Sequence, residues 1–245
     1  MKQRASIYFL ALAVTLSLAG CAAVFGSSLS ADATDSQVLD ADTGQPIEGA
    51  VVVAYWEMHR GSFAGDSLPC GAADVEEAVT DKDGKFHIPG WGPVHSSCDM
   101  RSFDPFLYVF KSGYSFARVG NYPYDPPFVT STHSEWNGKP IKLKRFPDPD
   151  LRKTGIKSYA ANFGELNVDE LANFIVNFPG ECNWRKIPNT LRALMAQAKL
   201  FQAVGNPVGS IADEMIIKDN DEAMQKEAPK CGSPKAFIEG LEKAN

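Results

Sequence analysis

Residues 42–56 read DTGQPIEGAVVVAYW, and this stretch decides the fold. Gly44 suits a turn position that needs a positive φ, and Val51, Val52 and Val53 are β-branched residues that pack well on a buried pleated surface. With Val38 and Leu39 just before it, the stretch predicts a strand, a turn and a second strand.

A second turn follows at residues 80–89, TDKDGKFHIP. Asp83 and Gly84 form a typical hairpin dipeptide, and Phe86 and Ile88 alternate toward one face, which leaves His87 facing solvent. The pattern predicts a β-hairpin. Further strands are predicted at residues 106–110 and at residues 141–143, where apolar residues alternate with lysine.

Three blocks taken together, residues 42–52, residues 80–89 and residues 110–114 (FKSGY), resemble the carboxypeptidase regulatory-like domain family. The resemblance implies a transthyretin-like fold, a seven-stranded antiparallel Greek-key β-sandwich, over roughly residues 36–146. The chain departs from the family in a long insertion between Trp56 and Val79. The resemblance implies a fold and almost no chemistry, because in this family the glycines and the Asp-Gly turn are structural and the domain is usually an accessory.

The amino terminus predicts export. Lys2 and Arg4 precede the apolar run IYFLALAVTL at residues 7–16, which is about half the ~20 residues that a membrane-spanning helix needs and is typical of a signal peptide. Residues 18–21, LAGC, resemble a bacterial lipobox. The resemblance implies removal of residues 1–20 and a triacylated Cys21 that anchors the protein permanently in a membrane. The alternative is a signal peptide cut at a small-residue site, with Cys21 incidental.

The residues after the lipobox predict where and how the anchor holds the protein. Ala22 follows the cysteine, where an Asp tends to retain lipoproteins on the inner membrane of enteric bacteria, so the resemblance implies the outer membrane, periplasmic face. Residues 26–35, GSSLSADATD, are small and polar, and predict that residues 21–35 form a flexible tether.

Four further cysteines predict two disulfides. An even number of cysteines in an exported chain favours bridges, and we expect Cys70 with Cys98 and Cys182 with Cys231 because each pair falls within one predicted domain. A zinc site is the alternative, but the chain has no Cys-x-x-Cys pair and no closely spaced histidine pair. No metal is predicted.

A change of pattern predicts a second, helical part. Residues 148–150, DPD, end the strand pattern, so residues 147–161 are predicted as a linker and residues 162–245 as a small helical domain, which makes the fold class α+β. Helices are predicted to begin near Asn167, at Pro188, at Ser210 and at Ser233 with Pro234. Leu191, Leu194, Met195, Ala198 and Phe201 form one apolar stripe of the second helix.

The composition and net charge of the chain indicate which classes of partner to expect. The chain has 44% hydrophobic and 22% charged residues, as in a globular protein, and a formal net charge of -6. A negative protein repels phosphate backbones, so nucleic acid is not an expected partner.

Catalytic signals are weak. His59, His87, His95 and His133 are scattered, and no Gly-x-Ser-x-Gly elbow, phosphate loop or dinucleotide fingerprint is present, so we predict no catalytic residues, no cofactor and no enzyme activity. Predicted loops carry aromatic residues that could form a platform for a sugar or peptide, and the alternative is that they pack over the core. These residues are Trp56, Trp91, Phe103, Tyr122 and Tyr124.

The expected function is therefore that of a non-catalytic lipoprotein on the periplasmic face of the outer membrane. It would act in binding or envelope assembly, with an envelope protein or a glycan as partner. One alternative is a hydrolase or peptidase accessory whose site lies on the loops that Cys70 and Cys98 join. Another is a component of an envelope machine, since the type VI secretion apparatus also contains a lipoprotein with a transthyretin-like fold.

Overall fold

The computed structural model describes residues 27–62, 65–100, 105–121, 133–145, 182–203 and 221–243. The strands are β1 (Ser27–Ala31), β2 (Thr34–Asp40), β3 (Val51–Gly61), β4 (Ser67–Val79), β5 (Lys85–Ile88), β6 (Trp91–Ser96), β7 (Asp99–Met100), β8 (Phe106–Phe110), β9 (Ala117–Val119) and β10 (Ile141–Leu143). The α-helices are α1 (Pro188–Ala203), α2 (Asp221–Glu227) and α3 (Pro234–Lys243), with 3₁₀ turns at Asn183–Lys186 and Pro229–Cys231. None of the described helices is long and apolar enough to cross a membrane.

Strand β3 is the centre of the largest sheet. The strands lie in the order β4-β3-β8-β9, all antiparallel, and β7 pairs with the far end of β3. Val52 lies opposite Ala78 of β4 on one side and opposite Val109 of β8 on the other. Residues 51–56 are buried on both faces of the sheet, which is why this stretch is apolar without alternation.

Strands β1, β2, β5 and β6 form one long antiparallel ribbon with a bend. Ser36 lies opposite Phe86 in the β2–β5 pair and Ala31 opposite Trp91 in the β1–β6 pair, which is the same pairing offset. The register of the β1–β6 pair then shifts by one residue between Ala31 and Leu29. Gly92 has a φ of +102°, and a Cβ there would lie 2.7 Å from the Leu29 carbonyl oxygen, so the close approach of the two strands requires glycine. Strand β10 adds to β2 in parallel.

An inner core lies between the ribbon and one face of the large sheet. Large side chains from both layers meet there, and the largest fully buried one is Trp56 of β3. The other members include Leu29, Val38, Val52, Ala54, Phe86, Ile88, Leu107, Val109, Ile141 and Leu143.

An outer core lies on the opposite face of the large sheet, where the helices pack. Val53, Tyr55 and Tyr108 of the sheet share one buried cluster with Trp184 and with the helices. The helical members include Leu191, Leu194, Met195, Met224, Ile238 and Leu241. The described chain therefore has three layers, ribbon, sheet and helices, and the predicted α+β class is confirmed.

A carboxylate of the sheet holds the start of helix α1. Glu77 of β4 accepts hydrogen bonds from the backbone N–H of Asn189 at 2.9 Å, from the N–H of Thr190 at 2.6 Å and from the Thr190 hydroxyl at 2.6 Å. Lys186 forms an ion pair with Asp74 of the same strand. Because a carboxylate favours the unsatisfied N–H groups of a helix N-terminus, Glu77 fixes α1 on the sheet.

Two predicted helices are confirmed. Helix α1 begins at Pro188 and buries Leu191, Leu194 and Met195, and α3 begins at Pro234, where the Ser233 hydroxyl accepts a hydrogen bond from the N–H of Ala236 at 2.9 Å. The helices predicted near Asn167 and Ser210 and the linker at residues 147–161 lie outside the described residues, as do the signal peptide and Cys21. No sequence signal predicts helix α2.

Both predicted disulfides are confirmed. Cys70 is bonded to Cys98 and Cys182 to Cys231, with Cα atoms 6.7 Å and 5.3 Å apart.

Two predictions about the chain path are wrong. The tether predicted for residues 21–35 includes strand β1 and the start of β2, because Leu29 and Ala31 alternate with serines and bury their side chains in the inner core. The turn at Asp83 and Gly84 does not join paired strands: β4 pairs with β3, whereas β5 pairs with β2, so the turn carries the chain from one sheet to the other.

Candidate functional site

One end of the large sheet gathers the polar residues that could do chemistry. The Cys70–Cys98 bond joins β4 to the segment just before β7, and His59 of β3 pairs with Asp99 of β7. The hydroxyl of Ser27, at the start of β1, donates to the Asp99 carboxylate. We call this region the bridged end, and it comprises residues 57–61, 67–70 and 94–100 together with Ser27.

Two irregularities in strand pairing shape the bridged end. The register between β3 and β4 shifts between Trp56 and Glu57 and again between Glu57 and His59. Such bulges bend a strand and redirect its side chains. Beyond the second shift the pairing is regular, with His59 opposite Pro69 and Gly61 opposite Ser67, so His59 and Ser67 are diagonal neighbours on one face. Nδ1 of the buried His59 lies 3.0 Å from the hydroxyl oxygen of Ser67, and its Nε2 lies 3.0 Å from a carboxylate oxygen of Glu57.

The resulting order is hydroxyl, imidazole, carboxylate. An imidazole in this position can accept the proton of a serine hydroxyl, and a carboxylate at its other nitrogen stabilises the imidazolium that forms. The Ser67 side chain is exposed and so can be reached from solvent. Sequence patterns do not reveal this contact, because Ser67 lies across a hairpin from His59 and only the pairing register of β3 with β4 brings the two together.

The other histidines do not join this group. His87 is exposed, as predicted, and its Nδ1 lies 2.8 Å from a carboxylate oxygen of Asp35. His95 is exposed on β6, and the His133 carbonyl accepts a hydrogen bond from Asn121. Among the residues with described positions, no group of three or more histidine, cysteine or acidic side chains could hold a metal ion.

Of the five residues predicted to form an aromatic surface, the structure describes Trp56 and Trp91. The prediction is wrong for Trp56. Trp56 is 0% exposed, because it lies in β3 and points into the inner core. Trp91 is partly buried and packs edge-on against Trp56, with ring centroids 5.5 Å apart and an interplanar angle of 82°. Phe103, Tyr122 and Tyr124 lie outside the described residues. Trp56 therefore cannot contact a ligand on this surface.

At the opposite end of the sheet, the buried Asp40 organises a polar network. Its Oδ1 accepts hydrogen bonds from the backbone N–H groups of Asp42 and Thr43, and its Oδ2 accepts from the Tyr114 hydroxyl at 3.1 Å and from Arg145 Nε at 3.2 Å. The bond from Thr43 is the main cause that holds the pKa of Asp40 below its ordinary value, with smaller contributions from Tyr114, Asp42 and Arg145.

The same network raises the pKa of Tyr114, through burial first and then through its hydrogen bond to Asp40. Arg145 also donates to the Tyr114 hydroxyl at 2.6 Å. The network therefore connects the turn after β2 to the residues that follow β8 and β10.

Comparison with known proteins gives no family. No protein-family model matches the chain, and no curated protein matches it. Among solved structures, 3-chlorocatechol 1,2-dioxygenase from Rhodococcus opacus 1CP is similar at 15% identity over 49% of this chain and 62% of that chain, with a TM-score of 0.31. A streptococcal ancillary pilin is similar at 16% identity over 51% of this chain and 31% of that chain, with a TM-score of 0.23. The chain thus spans less than two thirds of either protein, and at these TM-scores the similarity assigns neither fold nor activity.

Proposed function

We propose that this chain is a lipid-anchored protein on the periplasmic face of the bacterial outer membrane, with a non-catalytic role in binding or envelope assembly. The observation that carries the proposal is the use of its five cysteines: four form two disulfides, and the remaining one is Cys21. Disulfides persist in oxidising compartments outside the cytoplasm. The cysteine outside the bridges stands in the lipobox-like sequence at residues 18–21.

The proposed fold is the transthyretin-like sandwich that the sequence resemblance implies. Support comes from the inner core, in which the large sheet faces the β10-β2-β5 sheet across Val38, Ile88 and Leu107. In this arrangement the helices are an addition on the outer face of the sandwich.

The proposed partner is an envelope protein or a glycan. Trp91, partly buried on β6, is the one member of the predicted aromatic surface that the structure describes at the surface. Aromatic side chains supply large contact areas at little entropic cost, which suits them to sugar and peptide recognition.

The anchor is tested by mass spectrometry of the protein purified from the membrane fraction. We expect a mature chain that begins at Cys21 and carries three acyl chains. The variant Cys21→Ser should remain unprocessed or be soluble, and Ala22→Asp should keep the lipid but move the protein to the inner membrane. An unmodified thiol at Cys21 in the membrane fraction would refute the proposal.

Binding is tested by pull-down from detergent-solubilised envelope. Partner recovery with a Trp91→Ala, Tyr124→Ala double variant is compared with that of wild type, once circular dichroism has shown that both are folded. We expect reduced recovery from the variant. Equal recovery would exclude the aromatic surface as the binding site while leaving the anchor proposal intact.

A second candidate function is ester or peptide hydrolysis at the bridged end, favoured by the contact between Ser67 and His59. In that reaction the Ser67 oxygen would attack the carbonyl carbon of the substrate while His59 accepts the hydroxyl proton. The proton would then pass to the leaving group, and water would release the acyl group from Ser67 with the regeneration of the hydroxyl.

A fluorophosphonate probe tests this second candidate directly, because it labels activated serines. We expect a label on Ser67 that is lost in Ser67→Ala and kept in the control Ser28→Ala, a change at another exposed serine. The absence of label on wild-type protein would eliminate hydrolysis at this site.

A further inference from the structure

The described chain begins at the bridged end, very close in sequence to the proposed lipid. Only residues 22–26 separate Cys21 from the start of β1 at Ser27. Even fully extended, this segment spans at most about 20 Å. The position of Ser27 in the fold therefore decides which end of the protein lies near the membrane.

Ser27 is fixed at the bridged end by two contacts. It pairs with Ser96 at the end of β6, and its hydroxyl donates to the carboxylate of Asp99, which lies next to the Cys98 bridge. The opposite end of the large sheet is far away, because the 11 residues of β3 extend over roughly 33 Å. A lipid on Cys21 would thus hold the bridged end close to the bilayer and the Asp40 network away from it.

Exposed apolar side chains mark the same end. Among the described residues, the exposed large hydrophobic side chains are Leu68, Val79 and Val94, at 43%, 44% and 47%. Leu68 and Val94 belong to the bridged end, within four residues of Cys70 and Cys98 respectively. Apolar side chains at the boundary between headgroups and acyl chains add to the affinity of an anchored protein for the bilayer.

We propose that the bridged end rests on the phospholipid bilayer that holds the Cys21 anchor, with Leu68 and Val94 in contact with lipid. The proposal rests on the proposed lipid anchor and adds a defined orientation to it. In this orientation the opposite end, with the turns after β2 and β4, faces away from the membrane and is open to a partner.

Strand β4 supplies a matched pair of positions for the test. Leu68 and Val79 are almost equally exposed, lie in the same strand and are roughly 36 Å apart along it. A photoreactive benzoylphenylalanine is placed at position 68 or at position 79 of the lipidated protein, and each variant is reconstituted in vesicles of phosphatidylethanolamine and phosphatidylglycerol. Lipid adducts are then quantified by mass spectrometry after illumination.

We expect several-fold more lipid adduct at position 68 than at position 79. A benzoylphenylalanine at position 94 serves as a second reporter on the bridged end and should behave like position 68. Equal adduct formation at positions 68 and 79, or an excess at position 79, would overturn the orientation. Circular dichroism of each variant shows whether the fold is kept.

A second arm of the experiment tests the orientation independently of whether Cys21 carries a lipid in the cell. Residues 21–245 with oxidised disulfides present one thiol, that of Cys21, which is coupled to a maleimide-bearing phospholipid in the same vesicles. If the native protein proves to carry no lipid on Cys21, the proposed function fails in the cell. The coupled protein still reports whether the bridged end meets the bilayer when Cys21 is attached, and no preference for position 68 in this arm overturns the orientation.

Discussion

Gly84 lies in the turn between β4 of the large sheet and β5 of the β10-β2-β5 sheet, and it packs closely against β2. Its φ is +71°, and a Cβ at this position would lie 2.5 Å from the carbonyl oxygen of Val38 and 3.1 Å from the Cβ of Pro46. The Gly84 carbonyl also accepts a hydrogen bond from the N–H of Val38 at 2.8 Å. The turn therefore lies directly on β2, and there is no space for a side chain.

A comparison of Gly84→Ala with Gly44→Ala distinguishes the energetic cost of this close contact from the cost of backbone strain. Gly44 has the same φ of +71°, but a Cβ added there would meet no atom within 4 Å, so Gly44→Ala carries strain alone. We expect Gly44→Ala to lower the free energy of unfolding by about 1 kcal/mol and Gly84→Ala by about 3 kcal/mol. Urea unfolding measures both, and equal losses would show that the contact with Val38 relaxes without cost.

Asp40 predicts how stability depends on pH. Its pKa in the folded protein lies below the ordinary value of 3.8, so its network stabilises the protein above that value and is lost as the pH falls below about 4. In Asp40→Asn we expect a lower melting temperature at pH 7 and a shallower loss of stability on acidification.

The control for Asp40 is Asp83→Asn. The pKa of Asp83 is also lowered, mainly by its hydrogen bond from Lys82, but this pair is exposed to solvent and contributes little to stability. The two variants are compared by thermal unfolding from pH 7 to pH 3. Equal losses of stability would show that burial does not make the Asp40 network more stabilising than the exposed Lys82–Asp83 pair.

At the scale of single elements, the attachment of α1 to the sheet depends on Glu77. Its carboxylate accepts three hydrogen bonds from the first turn of the helix. Glu77→Gln removes the charge that favours the helix N-terminus, and we expect a loss of about 1 kcal/mol in the free energy of unfolding together with faster hydrogen exchange in α1. The exposed Glu48 provides the control, because Glu48→Gln should change stability by less than about 0.5 kcal/mol.

The elements that the sequence predicts are those with strong local signals. Val51 to Val53 define β3, and α1 and α3 begin at Pro188 and Pro234, because β-branching and capping act over a few residues. Strand β1 has no such signal. Its serines are typical of a linker. The burial of Leu29 and Ala31 depends on the pairing of β1 with β6, which is distant in the sequence.

Sheet membership and the candidate site lie beyond local patterns. The Asp83-Gly84 turn has the composition of a hairpin, but the strands on its two sides pair with other strands, in different sheets. The contact between His59 and Ser67 depends on the register in which β3 pairs with β4, which no sequence pattern indicates. The loop predicted at Trp56 is wrong because β3 does not end there but continues to Gly61.

At the scale of the whole molecule, both faces of the large sheet are buried, one under the ribbon and the other under the helices. Both layers are needed to keep the apolar side chains of the sheet out of water. Val51, Val53, Tyr55, Tyr108 and Phe110 face the helices, so removal of the helical part would expose a continuous apolar surface. We expect a fragment of residues 27–146 to bind the dye anilinonaphthalene sulfonate and to form oligomers, while residues 27–245 remain monomeric and bind little dye.

Size-exclusion chromatography with light scattering measures the oligomeric state of both proteins. A monomeric fragment that binds no dye would show that the sandwich is independent of the helices, as the domain boundary predicted near residue 147 implies. The reverse result would show that the helices are part of the folding unit.

If Cys21 carries the lipid proposed above, the bent ribbon has a mechanical consequence. The anchored chain would then enter the described fold at Ser27, and β1 runs from there along its partner β6, with hydrogen bonds perpendicular to both strands. A pull between the anchor and a partner at the far end acts lengthwise along these strands. It therefore strains many hydrogen bonds in shear at once, whereas a sideways pull would open them one at a time. Because the pairing offset at Ala31 and Trp91 continues into the β2–β5 pair, the tension of an anchored chain would pass through the bend into the body of the protein.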